Sequence, residues 1–188
     1  MLPLCIVTAT TDPHRADACL DSWGDVPLII VVNGGTWGPA EAETTGRQAR
    51  WITSPSYLGT VPAFRVGVEA ALEMGAEIIA CFHDDLEMLD PHWAPKVLTH
   101  FRRHPECGLA GFGGAIGLGA ADIYQTPYDP MQLARIGFRS NMKDAEAHGI
   151  RSLLPERVAC LDGFSQIGRA EFWTAKIGPL LQEYRGPY

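Results

Sequence analysis

Residues 78–91 read IIACFHDDLEMLDP, an apolar run that breaks abruptly into His83, Asp84, Asp85 and Glu87. Ionisable side chains at the end of a buried segment are costly unless they are solvated, paired or bound to a cation. Carboxylate oxygens suit a hard divalent ion such as Mg²⁺ or Mn²⁺, which takes one or two protein carboxylates together with substrate phosphates and water. The spacing therefore points to a metal site holding an anionic, phosphorylated substrate. The plain alternative is a polar turn that caps the next helix, but Asp90-Pro91 already supplies the cap-plus-proline signature there.

A second cluster, Thr8-Ala9-Thr10-Thr11-Asp12-Pro13-His14-Arg15, follows the first apolar run. Small hydroxyl residues there let a base or ribose approach closely, and Arg15 in a first helical turn is placed to reach a phosphate. Ordinary strand–turn–helix chemistry explains the same residues equally well. Asn33 can hydrogen-bond a base edge or simply serve the Asn33-Gly34-Gly35 turn. Gly59 and Gly67 permit close packing near a ligand, and Gly67 within a helix costs roughly 1 kcal/mol against Ala, which asks for such a reason. Asp162 in VACLDGF is either an acceptor-side carboxylate or general base, or a turn aspartate ahead of Gly163. Residues 111–117, GFGGAIG, do not match G-x-G-x-x-G, and the first strand–helix turn has no glycine, so no nicotinamide cofactor is expected.

These residues need elements to position them. Residues 4–10 predict a buried strand, and Asp12-Pro13 predicts the start of a helix with Ala16, Cys19, Leu20 and Trp23 on one face and Gly24 as its stop. Strands follow at 26–32 and 50–53, separated by a polar stretch at 36–48. A helix is expected over 61–74, with Val61, Phe64, Val68 and Leu72 as its apolar face and Gly75 past its end. Residues 77–82 predict a fourth strand, and Asp90-Pro91 a helix to about His104. Residues 107–119 begin as a strand and turn glycine-rich, 120–150 read as a long loop with a short helical piece, 158–167 as a late strand or strand pair, and 169–177 as a helix. Such alternation predicts an α/β fold with a mostly parallel sheet flanked by helices. If the strand order is 3-2-1-4, the ends of strands 1 and 4 flank one crevice at the topological switch point.

The 188 residues fit a single domain, and 46% hydrophobic against 20% charged residues is an ordinary globular balance. The formal net charge of −7 and the lack of a basic stripe argue against a nucleic-acid binder. Acidity fits a metal-bridged diphosphate better than an arginine-lined one. Five cysteines at 5, 19, 81, 107 and 160 are odd in number and have no C-x-x-C spacing, which excludes a disulfide framework or zinc site and suits a reducing compartment. No signal peptide is expected, and no apolar run approaches the length of a membrane-spanning helix. A cytoplasmic protein is expected, with membrane contact at most peripheral, at the inner face.

Together these pieces resemble an inverting glycosyltransferase of family 2 with the GT-A fold. The resemblance rests on the opening strand with Thr8–Arg15, on Tyr57-Leu58-Gly59 with Ala63-Phe64-Arg65-Val66-Gly67, on the acidic strand end, and on Leu161-Asp162-Gly163-Phe164 with Gly168-Arg169. It implies a Rossmann-related sheet, a nucleoside-diphosphate sugar donor, an acceptor hydroxyl on a glycan, a lipid-linked molecule or another compound, and Mn²⁺ or Mg²⁺ as cofactor. Asp85 maps onto the usual metal ligand, with Glu87 beside it. Thr8, Ala9, Thr10, Arg15, Asn33, Gly59, Arg65, His83 and Asp84 are the expected nucleotide-sugar contacts.

Three departures stand out. Histidine replaces the first aspartate of the family's Asp-x-Asp, Phe64-Arg65 stands where Arg-Asn is usual, and the chain stops at Tyr188 about where a downstream acidic pair is expected. Asp162 and Glu183 are then the remaining candidates for the general base, or the chain is a fragment. The rival reading is a catalytically silent sugar-nucleotide-binding module. A nucleotidyltransferase on a similar sheet lacks the glycine- and lysine-rich first loop it would need.

Overall fold

A computed structural model of the chain describes residues 2–12, 19–35, 49–117, 137–143 and 149–183. Two compact units result, one formed by Met1–Leu109 with Ile167–Tyr188 and the other by Ala110–Gln166.

In the first unit, β1 (Leu2–Thr10), β2 (Leu28–Asn33), β3 (Ala49–Ser54) and β4 (Ala76–His83) pair in parallel in the order β3-β2-β1-β4. This is the order the switch-point reading required. Beyond β4 the sheet order continues through β10 (Ser165–Arg169) to β5 (Leu109–Ala110). β2 reads LIIVVN with every residue buried, as a parallel strand covered on both faces must be. Alternate residues divide between the two faces. Cys5, Val7, Ile29, Val31, Ile79 and Cys81 pack with Ala63, Val68, Ala70 and Ala71 of α1 (Thr60–Glu73). On the opposite face Phe82 meets the edges of Trp23 and Trp93, with ring centroids 5.9 and 5.3 Å away.

The expected face of α1 holds in part, with Val68 buried and Phe64 and Leu72 packed partly buried against the core. Ala63, Gly67, Val68, Ala70 and Ala71 are buried, whereas Val61, Phe64 and Leu72 are only partly so. Close approach is the reason. A Cβ on Gly67 would lie 2.2 Å from Val7 Cγ1 and 3.2 Å from Val31 Cγ2, so the helix sits on the sheet through small residues and its bulky ones fall to the flanks.

Helix α2 (Trp93–Arg103) starts later than Asp90-Pro91 suggests. Asp90 Oδ1 accepts the His92 amide at 2.9 Å and Asp90 O accepts the Trp93 amide at 3.1 Å, so Asp90 shapes a turn ahead of the helix and Pro91 is not its first residue. The helix expected over 169–177 runs further, as α3 (Ala170–Phe172), a π turn (Trp173–Ile177) and α4 (Gly178–Glu183). Of the first predicted helix, residues 13–18 lie outside the described residues; Cys19, Leu20 and Trp23 are buried, and Gly24 ends the 3₁₀ turn Asp21–Trp23 at φ 72°.

The second unit holds β6 (Gly113–Ala115), β7 (Phe138–Ser140), β8 (Ile150–Arg151) and β9 (Cys160–Leu161) in the order β8-β7-β6-β9. β6 is antiparallel to β7 and β9, and β7 is parallel to β8. The glycine run is a packing device, since a Cβ on Gly114 would lie 2.6 Å from Cys160 O. β7 and β8 fall where a long loop was expected, because three- and two-residue strands are too short to show a period. The helical piece expected within 120–150 cannot be placed in 137–143, and the rest of that stretch up to 148 lies outside the described residues. Among the described residues no helix is long and apolar enough to cross a membrane.

Two outcomes follow from this packing. Gly67→Ala is expected to destabilise the fold by about 1–3 kcal/mol despite its better helix propensity, read as a lower urea midpoint at unchanged slope. Burial pushes the Cys5 thiol up to about 12 and the Cys81 thiol higher still, while Cys160 is exposed. Native-state titration with a thiol-specific disulfide reagent should label Cys160 and spare Cys5 and Cys81, which react only after unfolding.

Candidate functional site

β4 flanks β1 on the side away from β2, so the sheet reverses its winding between the ends of β1 and β4. Thr8 is fully buried and its hydroxyl donates to Phe82 O at 2.9 Å, joining the two strands. Ala9 is half-buried and stands opposite His83 in the register. One step on, the Thr10 hydroxyl lies 2.7 Å from both Asp84 Oδ2 and Asp12 O, and it accepts the Asp12 amide at 3.0 Å. A hydroxyl has one proton to donate, and a carboxylate is the stronger acceptor. Thr10 thus fastens the first cluster to the acidic one.

The acidic segment is held from beneath. Leu86 N donates to His83 O at 3.2 Å, closing a turn over 83–86. Trp23 Nε1 donates to Leu86 O at 2.6 Å, Met88 N donates to Ser22 Oγ at 2.9 Å, and Trp93 Nε1 donates to Trp23 O at 3.2 Å. His83 and Asp84 are half-buried, while Asp85 and Glu87 are exposed. The sequence reading missed Ser22, Trp23 and Trp93 as supports. Trp23 carried a signal, because a buried indole N–H needs an acceptor, yet its helical spacing identified it only as core.

Asn33, at the end of β2, is buried with its amide engaged. Its Oδ1 accepts the Leu58 amide at 2.7 Å and its Nδ2 donates to Gly59 O at 3.2 Å. It thereby fixes the approach to α1, where Gly59 takes φ 93°, a conformation few other residues adopt. Arg65 lines a groove with Val68, Leu72 and Trp173, and its Nε lies 4.0 Å from Glu69. Arg15 lies outside the described residues. Asp162 belongs to the second unit, where its Oδ1 accepts the Phe164 amide at 3.1 Å in a tight turn and its own amide donates to Gly113 O at 2.9 Å.

Among the described residues no three His, Cys, Asp or Glu side chains gather to hold a metal by themselves. The donors at the acidic turn are oxygens at the solvent edge. They fit an ion that takes one or two ligands from the protein and the rest from water and phosphate.

No family model and no curated protein matches the chain. Solved structures do. Staphylococcus aureus TarS, residues 1–349, superposes with a TM-score of 0.53 at 9% identity over 92% of this chain and 48% of that one. The mannose-1-phosphate geranyltransferase of Thermus thermophilus gives 0.51 at 19% identity over 97% and 64%. The fold is GT-A-like. A CMP:2-keto-3-deoxy-manno-octonic acid synthetase solved with CTP gives 0.51 at 15% identity over 98% of this chain and 80% of that one. The chain spans less than two thirds of the first two structures, and at these identities the likeness is one of fold alone. The central sheet flanked by helices agrees with the α/β architecture read from the sequence.

The indole support can be isolated. Trp23→Phe keeps most of the packing on Phe82 and removes the bond to Leu86 O, so it is expected to cost about 1 kcal/mol. Trp23→Ala also opens a cavity and should cost about 3–5 kcal/mol. Paired urea titrations of the two variants check this.

Proposed function

We propose that the chain binds a nucleoside-diphosphate sugar at the joined ends of β1 and β4 and moves the sugar, with inversion, to an acceptor hydroxyl. The observation that carries this reading is the Thr10–Asp84 hydrogen bond at 2.7 Å, which joins the end of β1 to the turn that carries the exposed Asp85 and Glu87. In the proposal Ala9, Thr10, His83 and Asp84 line the nucleoside, and Arg15 reaches a phosphate. Asn33 positions the segment from Leu58 to Gly59. Asp85 and Glu87 would hold Mn²⁺ or Mg²⁺, which when bound neutralises charge on the departing diphosphate. A base takes the acceptor proton as the hydroxyl oxygen bonds to the anomeric carbon, and the diphosphate oxygen leaves with the electron pair of the broken bond; Asp162 and Glu183 are the candidates that the resemblance leaves for that role.

A second reading is a module that binds the sugar nucleotide without transferring the sugar. It is favoured by the Asp162 turn, in which one carboxylate oxygen already serves the Phe164 amide.

Calorimetric titration with UDP, GDP, dTDP and CDP, each with and without Mn²⁺, tests the donor site common to both readings. One nucleotide is expected to bind with Mn²⁺ dependence, and Asp85→Ala to weaken that binding at least about tenfold. Binding of none of the four by the wild-type chain would remove the proposal. Unchanged Mn²⁺-dependent binding in Asp85→Ala would remove the metal assignment.

A further inference from the structure

The last turn of α2 presents a second group of potential ligands on the first unit. His100 lies in that turn, and His104 follows it as the C-cap, with φ −123° and ψ 76° and its amide donating to His100 O at 2.9 Å. Their ring centroids lie 4.6 Å apart with the planes tilted by 34°. Two imidazoles bound to one ion at about 2.0–2.1 Å, with ligand angles from square to tetrahedral, place their centroids roughly 4.5–5.2 Å apart. The observed centroid spacing lies within that range.

A second observation concerns which nitrogen is available. His104 Nδ1 lies 3.3 Å from Glu106 Oε1. A carboxylate that accepts the N–H of one ring nitrogen leaves the lone pair of the other facing outward, and histidines that bind metals commonly have such a partner. The backbone beneath the pair is also fixed. The Arg169 guanidinium lies over the Phe101 ring at 5.4 Å. It donates from Nε to Cys107 O at 3.0 Å, and from Nη2 to Phe101 O and, at 3.2 Å, to His104 O. These bonds hold the carbonyls at the end of α2 and the turn that carries Glu106.

We propose that His100 and His104 form a surface chelate for a borderline divalent transition metal, Zn²⁺, Ni²⁺ or Cu²⁺, apart from the carboxylates of the acidic turn. Imidazole selects these ions over Mg²⁺, which prefers oxygen. Two protein nitrogens leave the remaining positions to water, in keeping with the absence of any three-residue metal cluster among the described residues. Arg102 and Arg103 on the same turn oppose a cation, so affinity comes from the nitrogen ligands rather than from the local field. Bound metal ties the C-cap of α2 to its last turn and stabilises that end of the helix.

The test is calorimetric titration of the untagged chain with Zn²⁺ in excess Mg²⁺, together with thermal melts with and without Zn²⁺. One Zn²⁺ per chain and a rise in Tm are expected. His100→Ala and His104→Ala should each lose the Tm rise and weaken binding at least about tenfold. Glu106→Gln keeps both imidazoles and should weaken binding about tenfold while leaving the metal-free Tm unchanged. Asp85→Ala should titrate like the wild type. Absence of Zn²⁺ binding, wild-type affinity in His104→Ala, or loss of Zn²⁺ binding in Asp85→Ala would each overturn the proposal.

Discussion

β1 has no free edge. Parallel strands pair with it on both sides, and its central residues Leu4 to Thr8 are buried. Polar groups therefore have almost no place along its length and collect at its end, where the sheet stops and the ladder no longer uses every backbone group. Thr8 shows the cost of coming too early in the strand: fully buried, its hydroxyl is tied to the Phe82 carbonyl. Thr10, two residues on, shares its face of the strand and reaches the acidic turn. The same covering constraint sets how α1 sits. With Val7 filling the space above β1, only a glycine at position 67 lets the helix come down.

The acidic turn is connected to the core through aromatic rings. Phe82 is the last fully buried residue of β4 before His83 and Asp84, and it is held edge-on between Trp23 and Trp93. Trp23 does two things at once. Its ring fills the core, and its N–H holds the Leu86 carbonyl. Ring burial contributes about 1.5–3 kcal/mol and the hydrogen bond about 1, so packing sets where the indole lies and the bond sets where the loop lies. Loops that carry chemistry are commonly positioned by a rigid scaffold of this kind.

Much of this could be read along the chain. Runs such as LIIVVN and IIACF have the length and branching of buried parallel strands, and the break into His83-Asp84-Asp85 marked the strand end. Asn33 was harder, because a buried amide that ties a strand end to the start of a helix and a free turn residue have the same local sequence. Its partners, Leu58 and Gly59, are 25 and 26 residues away. The face of α1 was legible in part: helical periodicity finds the large residues Phe64, Val68 and Leu72, which do pack on the core, whereas the closest approach to the sheet is made by small ones. Arg169 offered no local sign of its part at the end of α2, since the carbonyls it binds lie 62 to 68 residues earlier.

The sequence by itself determined the alternation of strand and helix, the buried strands and the acidic strand end. Each follows from side-chain periodicity and backbone preference within a few residues. The tertiary structure alone decided the strand order, how closely α1 approaches the sheet, and the partners of Thr10, Asn33 and Trp23. Those partners lie 26 to 74 residues away for the bonds to Gly59, Leu86 and Asp84. Groups so distant meet only after the sheet has assembled, and no local pattern specifies which of them will be neighbours.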